Sequence, residues 1–186
     1  CAIDRIKALC DNYKLLLIED CAQSHLSALN GCYAGLTGIA SSFSFYPGKN
    51  LGAYGDAGCI VTNDLELANQ FRMFANHGAL KKHHHLMEGI NSRMDGLQAA
   101  ILSAKLPHLK RWTEARIRHA ARYDQYLAGI EQIQLPKVRP DSVHSFHLYT
   151  IRVERRTQLM EYLKALGIDT AIHYPTALPN LPAYQY

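Results

Sequence analysis

The stretch Ser41-Ser-Phe-Ser-Phe-Tyr-Pro-Gly-Lys-Asn50 decides how the rest of the chain is read. Residues 43–46 form an aromatic, β-prone run, and Pro47-Gly48 stops it. A strand that ends in a Pro-Gly turn delivers the next residue, Lys49, to a sheet end, at the surface or in a cleft. Lys49 is the only charged residue between Asp20 and Asp56. An amine flanked by Tyr46, Pro47, Leu51 and Gly52 loses hydration, which favours its neutral, nucleophilic form. The same local composition also suits an ordinary loop lysine that caps a strand, and this stretch alone does not choose between the two.

Upstream, the apolar run of residues 15–18 predicts a strand buried on both faces, as in a parallel α/β sheet. It ends in Glu19 and Asp20. Ligands of open α/β sheets collect beyond the carboxyl ends of the strands, which makes Asp20 a site candidate. A helix N-cap acid is the equal alternative. Residues 1–13 read as a helix with Ile3, Ile6 and Leu9 on one face. Because the chain starts inside that pattern at Cys1, and residues 181–186 carry no stop signal, it reads as a fragment whose native chain begins further upstream.

Downstream, Asn30-Gly31 and Gly35 mark turns before a strand at 40–46. Residues 58–64 predict another strand that ends at an N-cap, Asn63 or Asp64. A helix over 65–75 turns Leu67, Phe71 and Phe74 inward, and Gly78 is expected in the position just past its end. Residues 94–127 form the longest helical pattern, with Leu97, Ala100, Ile101, Ala104 and Leu109 in one stripe, kinked or restarted at Pro107. After a loop with Pro136 and Pro140 come an alternating strand at 145–153, a helix at 156–166 closed by Gly167, and a strand at 168–172 that leads into His173-Tyr174-Pro175.

The 186 residues suffice for one large or two small domains. A net charge of +4, with basic residues spread along helical stretches, fits solvated helix faces and brings no nucleic-acid recognition motif. No apolar run reaches membrane-spanning length. Five cysteines without a C-x-x-C pair fit reduced, mostly buried thiols in the cytoplasm. The histidines at 83–85 point to opposite sides of an extended chain and lack a second ligand cluster, so no metal site is expected.

Gly48-Lys49 is not a phosphate-binding P-loop, because Phe43 and Asn50 stand where that motif needs glycine and Ser or Thr. No G-x-S-x-G elbow occurs. What remains, in order, is a strand-end acid, a glutamine three residues on, a serine after a strand and a desolvated lysine, an order that matches a site for pyridoxal 5'-phosphate (PLP).

Five segments carry a specific resemblance: Ile18-Glu-Asp-Cys-Ala-Gln-Ser-His25, Ser42-Phe-Ser-Phe-Tyr-Pro-Gly-Lys-Asn-Leu-Gly-Ala-Tyr-Gly-Asp56, Asn76-His-Gly78, Asn91-Ser-Arg-Met-Asp95 and Ile172-His-Tyr-Pro175. Together and in this order they resemble the DegT/DnrJ/EryC1/StrS family of PLP-dependent sugar aminotransferases. The resemblance implies an α/β fold, a fragment of the aspartate-aminotransferase-like architecture (PLP fold type I). It would comprise part of a large domain with a mostly parallel sheet (1–104), a connecting helix (105–130) and the beginning of an α+β small domain (131–186). It implies that Lys49 is the Schiff-base lysine and acid/base, and that Asp20 pairs with the pyridine nitrogen. Gln23 would lie near the cofactor ring and its 3-hydroxyl, Ser44 would bind phosphate, and Asn91 would reach the phosphate of a neighbouring subunit's cofactor. His173 and Tyr174 stand where family members contact substrate, and His25, in the same motif as Asp20, is a further substrate candidate, with packing under the cofactor as the alternative.

Leu26 and Ser27 depart from the Gly-Ala frequent in the family, and Ala57 from its usual glycine. The family's upstream phosphate loop and its aromatic stacking partner would precede Cys1. The implied function is transfer of an amino group, with glutamate as the expected donor, to a keto group of a nucleotide-linked sugar in polysaccharide, O-antigen or antibiotic-sugar synthesis. The implied protein is a cytoplasmic homodimer with shared active sites, bound to neither nucleic acid nor membrane. A sugar dehydratase of the same fold, whose members replace the lysine with histidine, and a non-catalytic regulatory relative are the alternatives.

Overall fold

The computed structural model describes residues 1–186. Two compact units divide them: Cys1–Ala121 with Val138–His147, and Arg122–Lys137 with Leu148–Tyr186.

In the first unit, helix α1 (Ile3–Tyr13) ends on Lys14 in the left-handed conformation, and Leu15 N–H turns back to the Cys10 carbonyl at 2.8 Å. That cap takes residues 15–17 out of the expected strand. Strand β1 (Ile18–Asp20) is short, and its one buried residue is Glu19. Leu16 (76%) and Ile18 (67%) are exposed, so the expectation of a strand buried on both faces is corrected. Within this chain the interior position belongs to a carboxylate, and its apolar neighbours lie on faces that no residue here covers.

Strand β4 (Ala40–Ser44) pairs parallel with β1, in the register Ile18 to Ala40, Glu19 to Ser41 and Asp20 to Ser42. Strand β5 (Gly58–Val61) pairs antiparallel with β4, and the sheet order is β1-β4-β5. Within the part of the sheet that this chain forms, one pairing is parallel and one antiparallel. A parallel return needs a crossover of a dozen residues or more, usually a helix, and the 45–57 connection holds none.

Between β1 and β4 lies a hairpin that the sequence reading left as turns. Strands β2 (Ala28–Leu29) and β3 (Cys32–Tyr33) are joined by Asn30-Gly31, whose φ values are 50° and 78°. Two positive-φ residues are what a tight hairpin turn of this twist demands, and Asn-Gly is the strongest signal for one. Strand β7 (Ser142–Val143) adds antiparallel to β2.

Helix α2 (Leu65–Ala75) is capped by Asp64, whose carboxylate accepts from Glu66 and Leu67 N–H, as expected. At its other end His77 (φ 55°) and Gly78 (φ 81°) are both left-handed, so the turn begins one position before the glycine, and Gly78 N–H closes it on the Met73 carbonyl at 2.7 Å. Gly78 is required for another reason too, since a Cβ there would sit 1.6 Å from the Met87 carbonyl oxygen.

Pro107 lies in a short 3-10 turn, Leu106–His108, that ends helix α3 (Gly96–Lys105) and restarts the chain as α4 (Leu109–Leu127). Leu102 and Leu109, on either side of this restart, pack with Leu51 and Ala53 into the core, with Leu26, Phe45 and Ala57 against it. Each buried leucine contributes about 1.5–3 kcal/mol, so α3 and α4 form the backing of the loop that follows Lys49.

The second unit holds strands β6 (Ile133–Gln134) and β8 (Arg152–Val153), paired antiparallel, and helix α5 (Arg156–Ala165). The long strand expected at 145–153 is reduced to β8, and residues 168–172 form no strand. Within this unit Tyr149 donates to Asp124 at 2.6 Å and stacks on Tyr123 with centroids 4.9 Å apart. Burial and the Asp124 carboxylate push the Tyr149 hydroxyl up to about 12.

Candidate active site

Parallel pairing fixes the site's edge. Because Asp20 stands level with Ser42, the carboxyl ends of β1 and β4 point the same way, and Asp20 and Ser44 end adjacent strands. Cys21 N–H continues the ladder to the Ser42 carbonyl at 2.8 Å. Asp20 is exposed; its Oδ1 accepts from Ala22 N–H at 3.0 Å, while its Oδ2 makes no bond inside the chain. The half-buried Ser44 hydroxyl accepts from Tyr46 N–H at 3.3 Å. Both are local side-chain-to-backbone turns of the kind Asp and Ser favour at strand ends.

Glu19, one residue before Asp20, does a different job. Its two oxygens accept from Gly35, Thr37 and Gly38 N–H at 2.9, 2.7 and 2.8 Å. Three backbone donors converging on one anion satisfy a buried charge that would otherwise be costly. They pin the segment that leads into β4, which keeps β4 in register beside β1.

Lys49 follows β4 in a tight turn closed by its own N–H on the Tyr46 carbonyl at 2.8 Å. The side chain is half-buried, and neither of the chain's two ion pairs involves it. The turn is held at both ends. Ala53 N–H reaches the Phe45 carbonyl at 2.8 Å, and Phe45 N–H reaches the Ala57 carbonyl at 2.8 Å. Helix α3 adds two staples: Lys105 Nζ donates to the Gly52 carbonyl at 2.7 Å, over the Tyr54 ring, and Gln98 Oε1 accepts from Tyr54 N–H at 2.8 Å.

Beneath this edge lie Cys21 and His25. Burial and the Glu19 and Asp20 carboxylates push the Cys21 thiol up to about 11. It is the one buried cysteine; Cys1 and Cys32 are exposed, which corrects the expectation of mostly buried thiols. His25 is 4% exposed and lies against Phe43 and Phe45 at centroid distances of 5.4 and 5.8 Å. Neither of its ring nitrogens has a hydrogen-bond partner of good geometry. Burial, then the neighbouring His147 and Lys49, push its pKa down, and the Ser44 backbone opposes this only weakly. His25 is thus a neutral ring packed behind the site.

The other expected residues are placed differently. Gln23 is exposed in the loop after β1. Leu26 in that loop has φ of 59°, the left-handed conformation that glycine favours, while its side chain packs on the core. Asn91 is exposed, bridges to Asn76 and accepts from Arg93 Nε at 3.1 Å. That cluster borders a cavity of about 470 Å³ between α2 and residues 92–94. His173 and Tyr174 belong to the second unit, where their rings lie 4.8 Å apart and Tyr174 is 71% exposed. Asp20, Gln23, Ser44 and Lys49 therefore share the edge formed by the ends of β1 and β4. Asn50, Ser145 and His147, which bond to one another behind that edge, were missed by sequence reasoning, and only the adjacency of Asn50 to Lys49 was available to signal them.

The profile described as the DegT/DnrJ/EryC1/StrS aminotransferase family matches residues 1–186. A dTDP-3-amino-3,4,6-trideoxy-alpha-D-glucose transaminase of Streptomyces venezuelae is 44% identical over 98% of this chain and 48% of its own length. A pleiotropic regulatory protein of Geobacillus stearothermophilus is 45% identical over 98% of this chain and 50% of its own. The crystal structure of S. venezuelae DesV in complex with a ketimine intermediate superposes with a TM-score of 0.95 at 44% identity, covering 99% of this chain and 50% of that one. The chain spans about half the length of the curated relatives it matches. It belongs to the DegT/DnrJ/EryC1/StrS aminotransferase family.

Proposed function

We propose, from that membership, that the protein containing this chain is a PLP-dependent transaminase that moves an amino group, with glutamate as donor, onto a keto-sugar carried by a nucleotide. The name of the S. venezuelae relative places its amino group at C3, and we take C3 as the position here. The observation that carries the reading is the in-register pairing of β1 with β4, which sets a carboxylate, a hydroxyl and an amine along one edge.

The residues fit the cofactor. Asp20 has an unbonded Oδ2 to face a pyridine nitrogen, Ser44 and nearby backbone N–H groups suit a phosphate, and Lys49 Nζ carries no competing ion pair. When bound, PLP supplies an electron sink for the carbon that loses its proton. The Asp20 carboxylate then favours a proton on the ring nitrogen. With PLP bound, Lys49 Nζ would accept the proton from the donor's α-carbon and, in the reverse half-reaction, would deliver one to the sugar carbon that receives the amine; such positioned proton transfer contributes about 10²–10⁴ in rate. Neutral His25, packed on Phe43 and Phe45, lies near enough to Lys49 for the amine's charge to help keep the ring neutral. Gln23 orients the ring from the adjacent loop.

Asn91 is assigned to the cofactor phosphate of a second subunit, and His173 and Tyr174 to the sugar substrate, in a cytoplasmic homodimer with shared sites. The first unit is read as part of the large cofactor-binding domain and the second as the start of the small one. The regulatory name of the G. stearothermophilus relative raises a non-catalytic role, and the complete acid, hydroxyl and lysine set favours turnover.

The deciding experiment uses the full-length protein. Lys49→Ala should abolish the visible absorbance of lysine-bound PLP and lower transamination by about 10²-fold or more. Unchanged absorbance would sink the assignment. Adding keto-sugars one at a time and following return of the spectrum from the amine form identifies the substrate; a response only to sugars with the keto group elsewhere overturns C3.

A further inference from the structure

The edge that carries Gln23 and Lys49 is tied from behind by a segment far along the chain. Ser145 has no exposed surface. Its Oγ donates to the Gln23 main-chain carbonyl at 3.3 Å, and its N–H donates to Ser27 Oγ at 3.2 Å. Ser27 Oγ–H in turn donates to Ser145 Oγ at 2.9 Å. The Ser145 carbonyl accepts from Asn50 Nδ2 at 3.1 Å. Asn50, also buried, places Oδ1 3.1 Å from His147 Nδ1, which puts that ring's proton on Nδ1. From α4, Arg116 donates to the Phe146 and His147 carbonyls at 3.2 and 3.3 Å.

Residues 145–147 thus bond at once to the Gln23–Ser27 loop and to the residue after Lys49, across 95 to 122 positions of sequence. The loops after β1 and β4 each have local turns, yet only this segment bonds to both. Buried polar networks in which each member is satisfied fix one arrangement and tolerate poorly the loss of any partner. A plain core-filling role would need no such double attachment, and buried apolar residues would serve it better.

We propose that residues 145–147, acting through Asn50, form a positioning strap that holds the Gln23 and Lys49 loops in one mutual arrangement. Asn50, Ser145 and His147 are positioning residues and touch no reacting atom. The link to catalysis rests on the transaminase reading; the link between the loops does not.

Hydrogen exchange on the full-length protein tests the strap without added cofactor. In Asn50→Ala and in His147→Ala, amides of 21–27 and of 46–53 should both exchange about tenfold faster, with helix α2 unchanged, as a local opening requires. His147→Gln, which keeps an N–H donor, should return both loops to within about threefold of wild type. Faster exchange confined to 46–53, or an equal rise throughout α2, overturns the strap. If Asn50→Ala does not fold, the two His147 variants decide by the same criteria. In the PLP-loaded protein the pH at which the lysine-bound band changes colour should move by about half a unit in His147→Ala and recover in His147→Gln. Coupled exchange with an unmoved band leaves the loops joined but overturns their bearing on Lys49. A wild-type protein that shows no such band fails the transaminase reading instead, while the exchange data still judge the strap.

Discussion

The turn around Lys49 and the segment around His173 and Tyr174 carry two halves of the same proposed reaction, and they are built in opposite ways. The first is short, closed by backbone bonds at both ends, stapled by Lys105 and Gln98, and backed by Leu51, Leu102 and Leu109. The second lies in a unit without a buried residue, and its tyrosine stands out from the surface. Proton transfer demands an amine fixed to within a fraction of an ångström, since misplacement by one ångström costs orders of magnitude in rate. Recognition of a flexible sugar can be completed by the ligand itself.

Four substitutions in the full-length protein break or sharpen that contrast, in descending size. Glu19→Ala strips three N–H groups of their anion, and chemical denaturation should show a loss of about 3–5 kcal/mol; a loss below about 1 kcal/mol would mean that the ordered wall does not depend on this anchor. Gly52→Ala should cost about 1–3 kcal/mol, because a Cβ there would lie 2.4 Å from the Pro47 carbonyl oxygen and must displace the Lys49 turn. Binding of PLP, read by absorbance, should weaken with it; a stable variant with normal cofactor binding would show the turn to be softer than its bonds suggest.

The third concerns pH. The folded pKa of His25 lies below its ordinary value of 6.5, so between the two the unfolded chain binds more protons than the folded one. The stability this neutral ring confers is complete above about pH 6.5 and is lost as pH falls toward the lowered value. Denaturation midpoints from pH 7.5 to 5 should fall in wild type, and His25→Leu should remove up to about one proton of that slope, roughly 1.4 kcal/mol per pH unit. Equal slopes would place the acid sensitivity elsewhere. Last, Tyr174→Phe should change stability by less than about 0.5 kcal/mol, as surface changes do, while raising KM for the sugar; a large stability loss would erase the contrast between the two regions.

The features legible in the sequence are those set by local chemistry. Asn63-Asp64 reads as a cap and Pro107 as a restart, and the structure caps on Asp64 and restarts at Leu106–His108; the strand expected to run to Tyr46 stops at Ser44, two residues short, before the Pro47-Gly48 turn. The strand-end position of Asp20 followed from the apolar run before it, although the strand proved shorter and its apolar residues exposed. What was hidden depends on pairing across the chain. Glu19 looked like a twin of Asp20, yet its partners lie 16 to 19 residues on, in a loop whose N–H groups converge only after folding. The antiparallel return of β5 and the tie from Ser145 to Asn50 are likewise unspoken by any local period.

The raised pKa of Cys21 has a practical outcome. With a pKa of about 11, only roughly one molecule in ten thousand carries the thiolate at neutral pH. The cysteine next to Asp20 is therefore a poor target for oxidants and alkylating reagents, while Cys32 is exposed to them. A maleimide dye directed at exposed Cys32 would leave the buried Cys21, next to Asp20, unmodified.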